Sequence, residues 1–300
     1  MCSVVCAARR YDRHRICVTL RPGQGGQNCY STLASEPTVE RRPQRGDHAH
    51  APGIKSLMTP TQIEQFRREG FLVSDPIFSS AEIQTFADAY DACLERLRQE
   101  QALKNIRPGQ LEDGTETEVQ QIRCAHLSHP VFADLVRDAR ILDRVESLIG
   151  PNLRLILCQG LYKPAHTGGE IDWHQDDYYF GVSKPDAVVS CWMAFGDVNE
   201  DNGCMWVIPR AHQQLLEHHG VDPGGYVMSS PDEPAAVAVP LQAGQIMFHH
   251  GATPHRTLPN TTDQPRRALA IHYMDATATI LGGNRENEPP ENTPILRGHA

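Results

Sequence analysis

The sequence predicts an α+β fold in which N-terminal helices pack on a double-stranded β-helix, the jelly-roll form of a β-sandwich. Two observations predict it. Amphipathic helical patterns come before residue 150, and short strand patterns follow from Leu153 to Met274. The strand patterns are separated by clusters of Gly, Pro, Asn and Asp, and many short strands with such turns are typical of sandwiches and jelly rolls.

The first predicted helix begins beside Thr59 and ends at Gly70. Thr59 and Gln62 have the spacing of a capping box, and Pro60 suits the first helical position because it lacks an N–H that would need a partner. Glycine is the residue that most often ends a helix. A short strand over Phe71–Val73 is expected to follow.

Two further helices complete the predicted N-terminal layer. Ser79 and Glu82 form a second capping box at the start of a long helix, whose apolar stripe recurs at helical spacing. The third helix is predicted from about Val131 to Leu148, where Gly150-Pro151 stops it. The stripe of the second helix consists of Ile83, Phe86, Ala87, Tyr90, Cys93, Leu94 and Leu97.

Strand patterns fill the remainder of the predicted domain. We expect the helices to precede everything strand-like. The predicted strands are Leu153–Tyr162, Ala187–Phe195, Cys204–Ile208, Ala236–Leu241, Gln245–His249 and Arg267–Met274.

The 300 residues divide into three predicted parts. Residues 1–57 carry nine basic and four acidic residues, a net charge of +5 within a chain of −9, and show no periodicity. We expect them to be a disordered leader, either a non-native extension ahead of Met58 or an organellar transit peptide. Residues 58–281 form the predicted folded domain. Residues 282–300, rich in Pro, Asn and Glu, are expected to be a loop or lid.

Composition argues against several classes of partner. The net charge of −9 disfavours nucleic acid, and no apolar run approaches the roughly 20 residues that cross a bilayer. Nine cysteines without a C-x-x-C pair argue against a thiolate zinc site and favour a reduced, cytoplasmic domain. The expected partner is a small-molecule substrate, and the sequence carries no signal for the oligomeric state.

His174 and Asp176 form the first candidate metal-binding motif. In an extended strand, residues i and i+2 point to the same face, so an imidazole and a carboxylate would share one space. Two such ligands from one strand and a histidine from a distant strand give the facial triad of non-haem Fe(II) sites. Asp177 is expected to point to the opposite face.

His255 is the candidate third ligand, and Arg266 is the candidate anion clamp. Arg266 stands eleven positions after His255, at the start of a predicted strand, and its guanidinium suits a carboxylate bidentately. His249 and His250 compete with His255 for the metal, and Arg267 competes with Arg266 for the anion.

These motifs resemble the phytanoyl-CoA dioxygenase family of Fe(II)/2-oxoglutarate-dependent oxygenases. The resemblance covers roughly residues 59–274 and is densest over 162–212 and 244–273. The residues that carry it are Lys163-Pro164, Trp173-His174-Gln175-Asp176, Val189-Ser190-Cys191-Trp192-Met193-Ala194, the run from Asn202 to His212, His255-x-Thr257-x-x-Asn260 and Arg266-Arg267-Ala268.

The resemblance implies a dioxygenase that uses Fe(II), 2-oxoglutarate and O₂, with ascorbate as a reductant. It would oxidise a C–H bond of a small metabolite or natural product and release succinate and CO₂. Carried over to this chain, the iron ligands are His174, Asp176 and His255, and the 2-oxoglutarate carboxylate binds Arg266. Residues that would line the co-substrate are Gln159, Gln175, Trp192 and Thr257.

The sequence departs from the family pattern at residues 209–212. Pro209-Arg210-Ala211-His212 stands where the family usually has P-G-S-H, so the geometry of this loop near the substrate mouth is in question. Related halogenases lack the carboxylate that Asp176 provides. Its presence therefore implies hydroxylation or another O₂-driven oxidation.

Several neighbouring side chains have two interpretations. Tyr178 and Tyr179 are either core or substrate walls, Lys163 is either a solvated charge or a contact for an anionic substrate, and His212 and His272 are expected to be structural. The alternative function is a cupin-like metal-binding protein without oxygenase activity, such as a small-acid sensor or a zinc hydrolase.

Overall fold

The computed structural model describes residues 57–221, 225–281 and 288–299. The predicted leader, residues 1–57, lies outside them apart from Leu57. The helices are α1 (Pro60–Glu69), α2 (Ser80–Gln99), α3 (Ala125–Ser128), α4 (Pro130–Leu135), α5 (Ala139–Ile149) and α6 (Asp176–Phe180). No helix in this described part is both long enough and apolar enough to cross a membrane.

Sixteen strands occur in the described residues. They are β1 (Phe71–Val73), β2 (Lys104–Asn105), β3 (Gly109–Gln110), β4 (Glu116–Thr117), β5 (Gln120–Arg123), β6 (Leu153–Lys163), β7 (Ile171–His174), β8 (Val188–Ala194), β9 (Met205–Val207), β10 (His218–Gly220), β11 (Tyr226–Met228), β12 (Val237–Val239), β13 (Met247–His250), β14 (His255–Thr257), β15 (Arg266–Asp275) and β16 (Ile295–Arg297).

Both predicted capping boxes are present. The side chain of Thr59 accepts a hydrogen bond from Gln62 N, and Gln62 Oε1 accepts one from Thr59 N at 2.9 Å. Ser79 and Glu82 make the same reciprocal pair at the start of α2. Gly70 ends α1 with φ 84°, a conformation in which glycine avoids the strain that a Cβ would cause.

The prediction of a single third helix over residues 131–148 is wrong. The chain forms α4 and α5 instead, with a break before Asp138, whose backbone is extended (φ −60°, ψ 125°). Asp138 Oδ1 accepts a hydrogen bond from Arg140 N at 2.8 Å. A helix cap of this kind competes with continuation of the preceding helix, which is why the apolar pattern alone did not reveal the break.

The expectation that helices precede all β-structure is also wrong. Strands β2 to β5 lie between α2 and α3, and β5 extends the main sheet by pairing with β6. These strands are two to four residues long and mostly polar, as Gln120–Arg123 illustrates, so they lack the alternation that predicts a strand.

Two antiparallel sheets form the jelly roll, which confirms the predicted α+β fold. The larger sheet has the order β1-β13-β8-β15-β6-β5-β2, with β16 also paired to β6, and the smaller has the order β12-β9-β14-β7. Residues of both inner faces meet in one apolar cluster, including Trp192 and Met247 from the larger sheet and Val207 and Ile171 from the smaller.

The N-terminal helices pack on the outer face of the larger sheet. Phe86 and Tyr90 of α2 and Ile141 of α5 share a buried cluster with Leu269 and Ile271 of β15. Alternation along β15 therefore sends these two residues outward to the helices and sends Arg266, Ala268, Ala270 and His272 toward the smaller sheet.

The described part of the predicted C-terminal lid is a docked segment. β16 pairs with Leu153 and Arg154 at the start of β6, and Arg297 forms ion pairs with Asp143 and Glu146 at 2.7 Å. The segment from 288 to 299 thus extends the larger sheet beside α5.

Candidate active site

The three predicted metal ligands come together between the two sheets. His174 at the end of β7 pairs directly with His255 at the start of β14. Asp176 Oδ1 lies 4.0 Å from His174 Nε2 and 3.8 Å from His255 Nε2. One ligand atom from each residue lies within 4.8 Å of the others, a spacing that one metal ion can bridge.

His174 and Asp176 converge as predicted, but they do not lie on one strand. β7 ends at His174, and Asp176 is the first residue of the short helix α6. Gln175 between them is still extended (φ −124°, ψ 127°), so the two side chains keep the common direction of residues i and i+2. His174 and Asp176 therefore share one direction, as predicted, although Asp176 is not in a strand.

Backbone carbonyls orient both histidines toward the centre. Nδ1 of His174 donates to Asp172 O at 2.7 Å, and Nδ1 of His255 donates to Thr253 O at 2.9 Å. Each ring therefore presents its Nε2 lone pair to the space beside Asp176. Burial, aided by His255, lowers the pKa of His174 well below 6.5, which favours the neutral imidazole that binds metal.

The carboxylate of Asp176 is held from behind by three side chains. Ser190 Oγ donates to Oδ2 at 2.7 Å, and His249 Nε2 and His272 Nδ1 lie 3.2 Å and 3.3 Å from the same oxygen. Burial raises the pKa of Asp176, but the neighbouring histidines, His272 first, outweigh it and lower the pKa well below 3.8. The carboxylate is therefore ionised, with Oδ1 left to face the metal position.

These supporting residues form a row across three strands. His249 of β13 pairs with Ser190 of β8, which pairs with His272 of β15. His249 is thus a neighbour of the ligand Asp176, and His250 points away to Asp186 at 3.0 Å. The competing prediction that either histidine is the third ligand is not supported by this geometry.

Arg266 and Thr257 leave polar atoms unpaired in the same interior. Arg266 is 3 % exposed; its Nη1 donates to Leu161 O at 3.1 Å, while Nε and Nη2 have no partner among the described residues. Thr257 Oγ1 is likewise buried without a partner there. Buried donors normally have acceptors. A carboxylate of 2-oxoglutarate fits this set because it can accept from a guanidinium and a hydroxyl together.

Gln159 and Trp192 lie between the metal ligands and Arg266. Both pair with Ala270 of β15, so they occupy one row of the larger sheet. The Arg266 guanidinium lies 5.6 Å from the Trp192 ring centroid. Gln159 contacts His272 Nε2 at 3.2 Å and accepts from Gln121 Nε2 at 2.6 Å. Both predicted lining residues are therefore placed along the path from the metal position to the clamp.

Gln175 has a different set of contacts. Its side-chain Nε2 donates to Gln214 O at 2.9 Å and to Ala252 O at 2.6 Å, and its Oε1 accepts from Leu216 N at 2.7 Å. The amide holds two loops together behind the metal ligands. Its predicted place against the co-substrate is therefore not supported by its hydrogen bonds.

The structure also shows where the remaining candidates from the sequence lie, namely Arg267, Asp177 and Lys163. Arg267 points to the helical side and binds Asp91 bidentately at 2.6 Å and 2.9 Å, so it is occupied outside the interior. Asp177 is half-buried, and desolvation of its carboxyl group together with the charge of Asp176 raises its pKa to about 7. Lys163 is fully buried and donates to two backbone carbonyls, which corrects the interpretation of a solvated loop charge.

Two tyrosines and an arginine lie beside the ligand His174. Tyr179 packs edge-on against His174 with ring centroids 5.9 Å apart, and its hydroxyl accepts from Tyr226 N at 2.7 Å. Arg107 Nη2 lies 3.4 Å from the same hydroxyl. Ser190, Gln121 and Arg107 were not predicted. Ser190 could have been found, because it stands two residues before Trp192 on one strand and so shares its face.

This chain matches a family profile and is similar to several known dioxygenases. The family profile described as "Phytanoyl-CoA dioxygenase (PhyH)" matches residues 66–268. An ectoine dioxygenase of Bordetella bronchiseptica is 26% identical over 176 residues, 58% of this chain and 56% of the relative, so the match spans little more than half of that protein. The peroxisomal phytanoyl-CoA dioxygenase of Bos taurus is 25% identical over 278 residues, 85% of this chain and 80% of the relative.

Solved structures of similar fold include two proteins whose titles refer to nogalamycin. The non-haem α-ketoglutarate-dependent carbocyclase SnoK from nogalamycin biosynthesis superposes with a TM-score of 0.68 at 26% identity, covering 82% of this chain and 100% of that one. The epimerase SnoN, solved with Fe³⁺, α-ketoglutarate and nogalamycin RO, gives a TM-score of 0.63 at 25% identity, covering 79% of this chain and 98% of that one.

Proposed function

This chain belongs to the phytanoyl-CoA dioxygenase family, and from that premise we propose that it is an Fe(II)- and 2-oxoglutarate-dependent dioxygenase. The observation that carries the proposal is the convergence of His174, Asp176 and His255 on one point, with unpaired buried donors of Arg266 nearby. A facial triad leaves coordination positions open for a 2-oxo acid and for O₂. A buried arginine in the same interior suits the far carboxylate of that acid.

Fe(II), when bound, supplies the position at which O₂ and 2-oxoglutarate react, giving succinate, CO₂ and an oxidised substrate. The chain itself supplies orientation. The carbonyls of Asp172 and Thr253 fix the histidine rings, and Ser190 fixes the carboxylate of Asp176. Arg266 would hold the far carboxylate of the co-substrate, so that its 2-oxo end points to the ligands.

The proposed substrate is a small metabolite or natural product. The names of ectoine dioxygenase and of the nogalamycin enzymes refer to such molecules, and SnoK and SnoN share the fold of this chain. In this chain Tyr179 packs against His174 and contacts Tyr226 and Arg107, and these three residues would contact the substrate. Aromatic walls with a few polar groups are typical of small-molecule sites.

Succinate production provides the direct test. The protein, loaded with Fe(II) under ascorbate, is supplied with 2-oxoglutarate and a panel of candidate substrates, and succinate and oxidised product are measured together. His174→Ala should lose all turnover and bind metal weakly. Turnover retained in that variant would exclude the proposed ligand set.

The same assay distinguishes the alternative of a metal-binding sensor or zinc hydrolase. Either would bind metal through the triad without forming succinate, and neither needs the unpaired donors of Arg266.

We also propose a cytoplasmic location and no nucleic-acid or membrane partner. The net charge of −9 and the buried thiol groups of Cys93, Cys124, Cys158, Cys191 and Cys204 support this.

A further inference from the structure

Lys163 is a second buried cation directly beside Arg266. The two residues pair across β6 and β15, so their side chains leave the larger sheet on the same inner face. Lys163 is 0 % exposed and Arg266 is 3 % exposed. A lysine is almost never fully buried unless it has a partner, so this position requires an explanation.

The ammonium group of Lys163 holds the end of the strand that carries His255. Its Nζ donates to Thr257 O at 3.2 Å and to Leu258 O. These carbonyls lie two and three residues after the ligand His255, and the hydroxyl of Thr257 has no partner among the described residues. Lys163 therefore fixes the backbone from which the Thr257 side chain projects.

Two glycines make room for this lysine. A Cβ on Gly203, which has φ +82°, would lie 3.2 Å from Lys163 Cδ and 2.7 Å from Leu258 O. A Cβ on Gly168 would lie 2.6 Å from Lys163 Cβ. The side chain thus passes through a close-fitting channel, and its amine cannot move to solvent without displacing the backbone around it.

Neither charge of the pair is neutralised by an ion pair among the described residues, and Glu170 acts on Lys163 only at longer range. Burial, and then the charge of Arg266, lower the pKa of Lys163 well below 10.5, and burial lowers the pKa of Arg266 to about 10. Like charges on neighbouring strands are destabilising, and a bound anion would relieve both penalties.

We propose that Lys163 is a positioning residue of the 2-oxoglutarate pocket and the second positive charge that selects a dianionic co-substrate. It holds Thr257 so that its hydroxyl and the free donors of Arg266 face one carboxylate. The bound dianion in turn favours the ammonium form of Lys163, whose charge then adds to the field at that carboxylate. This inference rests on the proposed function, because it assumes that 2-oxoglutarate is the acid bound there.

Lys163→Met tests the inference, because methionine fills the channel without charge or N–H donors. In the Fe(II)-loaded enzyme we expect the KM for 2-oxoglutarate to rise about tenfold or more while kcat falls less than about threefold. In the Mn(II)-loaded protein, calorimetry should show the same rise in the Kd for 2-oxoglutarate with an unchanged metal affinity. Lys184→Met, at a lysine 53 % exposed and paired with Asp275, is the matched control and should behave as wild type.

A second variant separates charge from folding. Lys163→Gln keeps an N–H donor but no charge, and we expect it to weaken 2-oxoglutarate binding as well. Wild-type affinity in Lys163→Met, or loss of the folded state in both variants, would overturn the inference. If the wild type binds 2-oxoglutarate but forms no succinate, the proposed activity fails while the Kd comparison still decides the role of Lys163. If it binds none, both proposals fail.

Discussion

Ser190 Oγ donates to Asp176 Oδ2 at 2.7 Å, on the side of the carboxylate that faces away from His174. The same hydroxyl lies 2.7 Å from His272 Nδ1, so one serine joins the proposed ligand to the inner row of the larger sheet. Oδ2 of the carboxylate is therefore held by hydrogen bonds, and Oδ1 is left to bind metal. Groups that support a ligand in this way commonly tune its affinity for metal.

Ser190→Ala should reduce metal affinity without unfolding the protein. The substitution removes one hydrogen bond to Asp176 while His249 and His272 remain near the same oxygen. We expect the affinity for Fe(II), or for Co(II) as a spectroscopic substitute, to fall about tenfold, at the lower end of such effects. Ser183→Ala, at an exposed hydroxyl bonded to Thr279 N, is the control. Unchanged metal affinity in Ser190→Ala would show that the hydroxyl has no such role.

His255→Gln and His249→Gln should separate a ligand from its neighbour. His255 Nε2 lies 3.8 Å from the metal-facing oxygen of Asp176, whereas His249 Nε2 contacts the opposite oxygen. The His255 variant should lose metal binding and turnover, and the His249 variant should keep metal with an affinity reduced by about tenfold. Metal titration followed by absorbance of Co(II) measures both. The reverse order would make His249 the third ligand.

Arg266→Met and Arg267→Met should have opposite effects. Arg266 faces the interior with two unpaired nitrogens, whereas Arg267 binds Asp91 on the helical side. We expect Arg266→Met to abolish saturable 2-oxoglutarate binding at unchanged metal affinity. Arg267→Met should bind 2-oxoglutarate normally and lose about 1 kcal/mol of stability with its ion pair. Calorimetric binding and urea unfolding of both variants check this, and a binding defect confined to Arg267→Met would reverse the assignment.

Local patterns predicted the parts of the fold that depend on local chemistry. Capping boxes place the starts of α1 and α2 because their hydrogen bonds form between residues three apart. The break at Asp138 and the polar strand β5 were missed, since each depends on a cap or on pairing with β6 that outweighs the local pattern.

The sequence predicts the site residues that belong to motifs. It does not predict the residues whose role depends on elements far along the chain. His174, Asp176, His255 and Arg266 follow from their order and spacing. The structure brings the three ligands together and buries Arg266 with two unpaired donors. Lys163 was left open, because burial of a lysine depends on Gly168 and Gly203 far along the chain. The loop in which Arg210 replaces a glycine holds it at φ 66°, and Arg210 binds Glu69 there.

Glu82→Gln should change the dependence of stability on pH. Burial raises the pKa of Glu82, but hydrogen bonds from Arg140 and Ser79 outweigh it and lower the pKa from 4.5 to about 2. The ionised form is thus favoured by folding, so its contribution is complete above about pH 4.5 and is lost as the pH falls toward 2.

Glutamine keeps the capping box and removes the charge, so the Glu82→Gln deficit isolates the ion pair. Because the Glu82 side chain is 38 % exposed, we expect solvent screening to limit the deficit near pH 6 to about 1 kcal/mol. Unfolding curves from pH 7 to 2 should show the deficit vanishing at low pH. Glu95→Gln, bonded to the neutral Gln99 on the same helix, should show no such trend. A deficit independent of pH would contradict the assignment.

Gly160→Ala should destabilise the contact between α2 and the larger sheet. A Cβ at Gly160 would lie 2.7 Å from Tyr90 Cε2 and 3.0 Å from its hydroxyl oxygen, and Tyr90 is 0 % exposed. Because a buried ring packed on a strand has little room to retreat, we expect a loss of about 1–3 kcal/mol in urea unfolding. Gly196→Ala adds the same methyl group where no atom lies within 4 Å, and it should change stability by less than about 0.5 kcal/mol. Equal effects of the two substitutions would show that the backbone change, and not the Tyr90 contact, sets the cost.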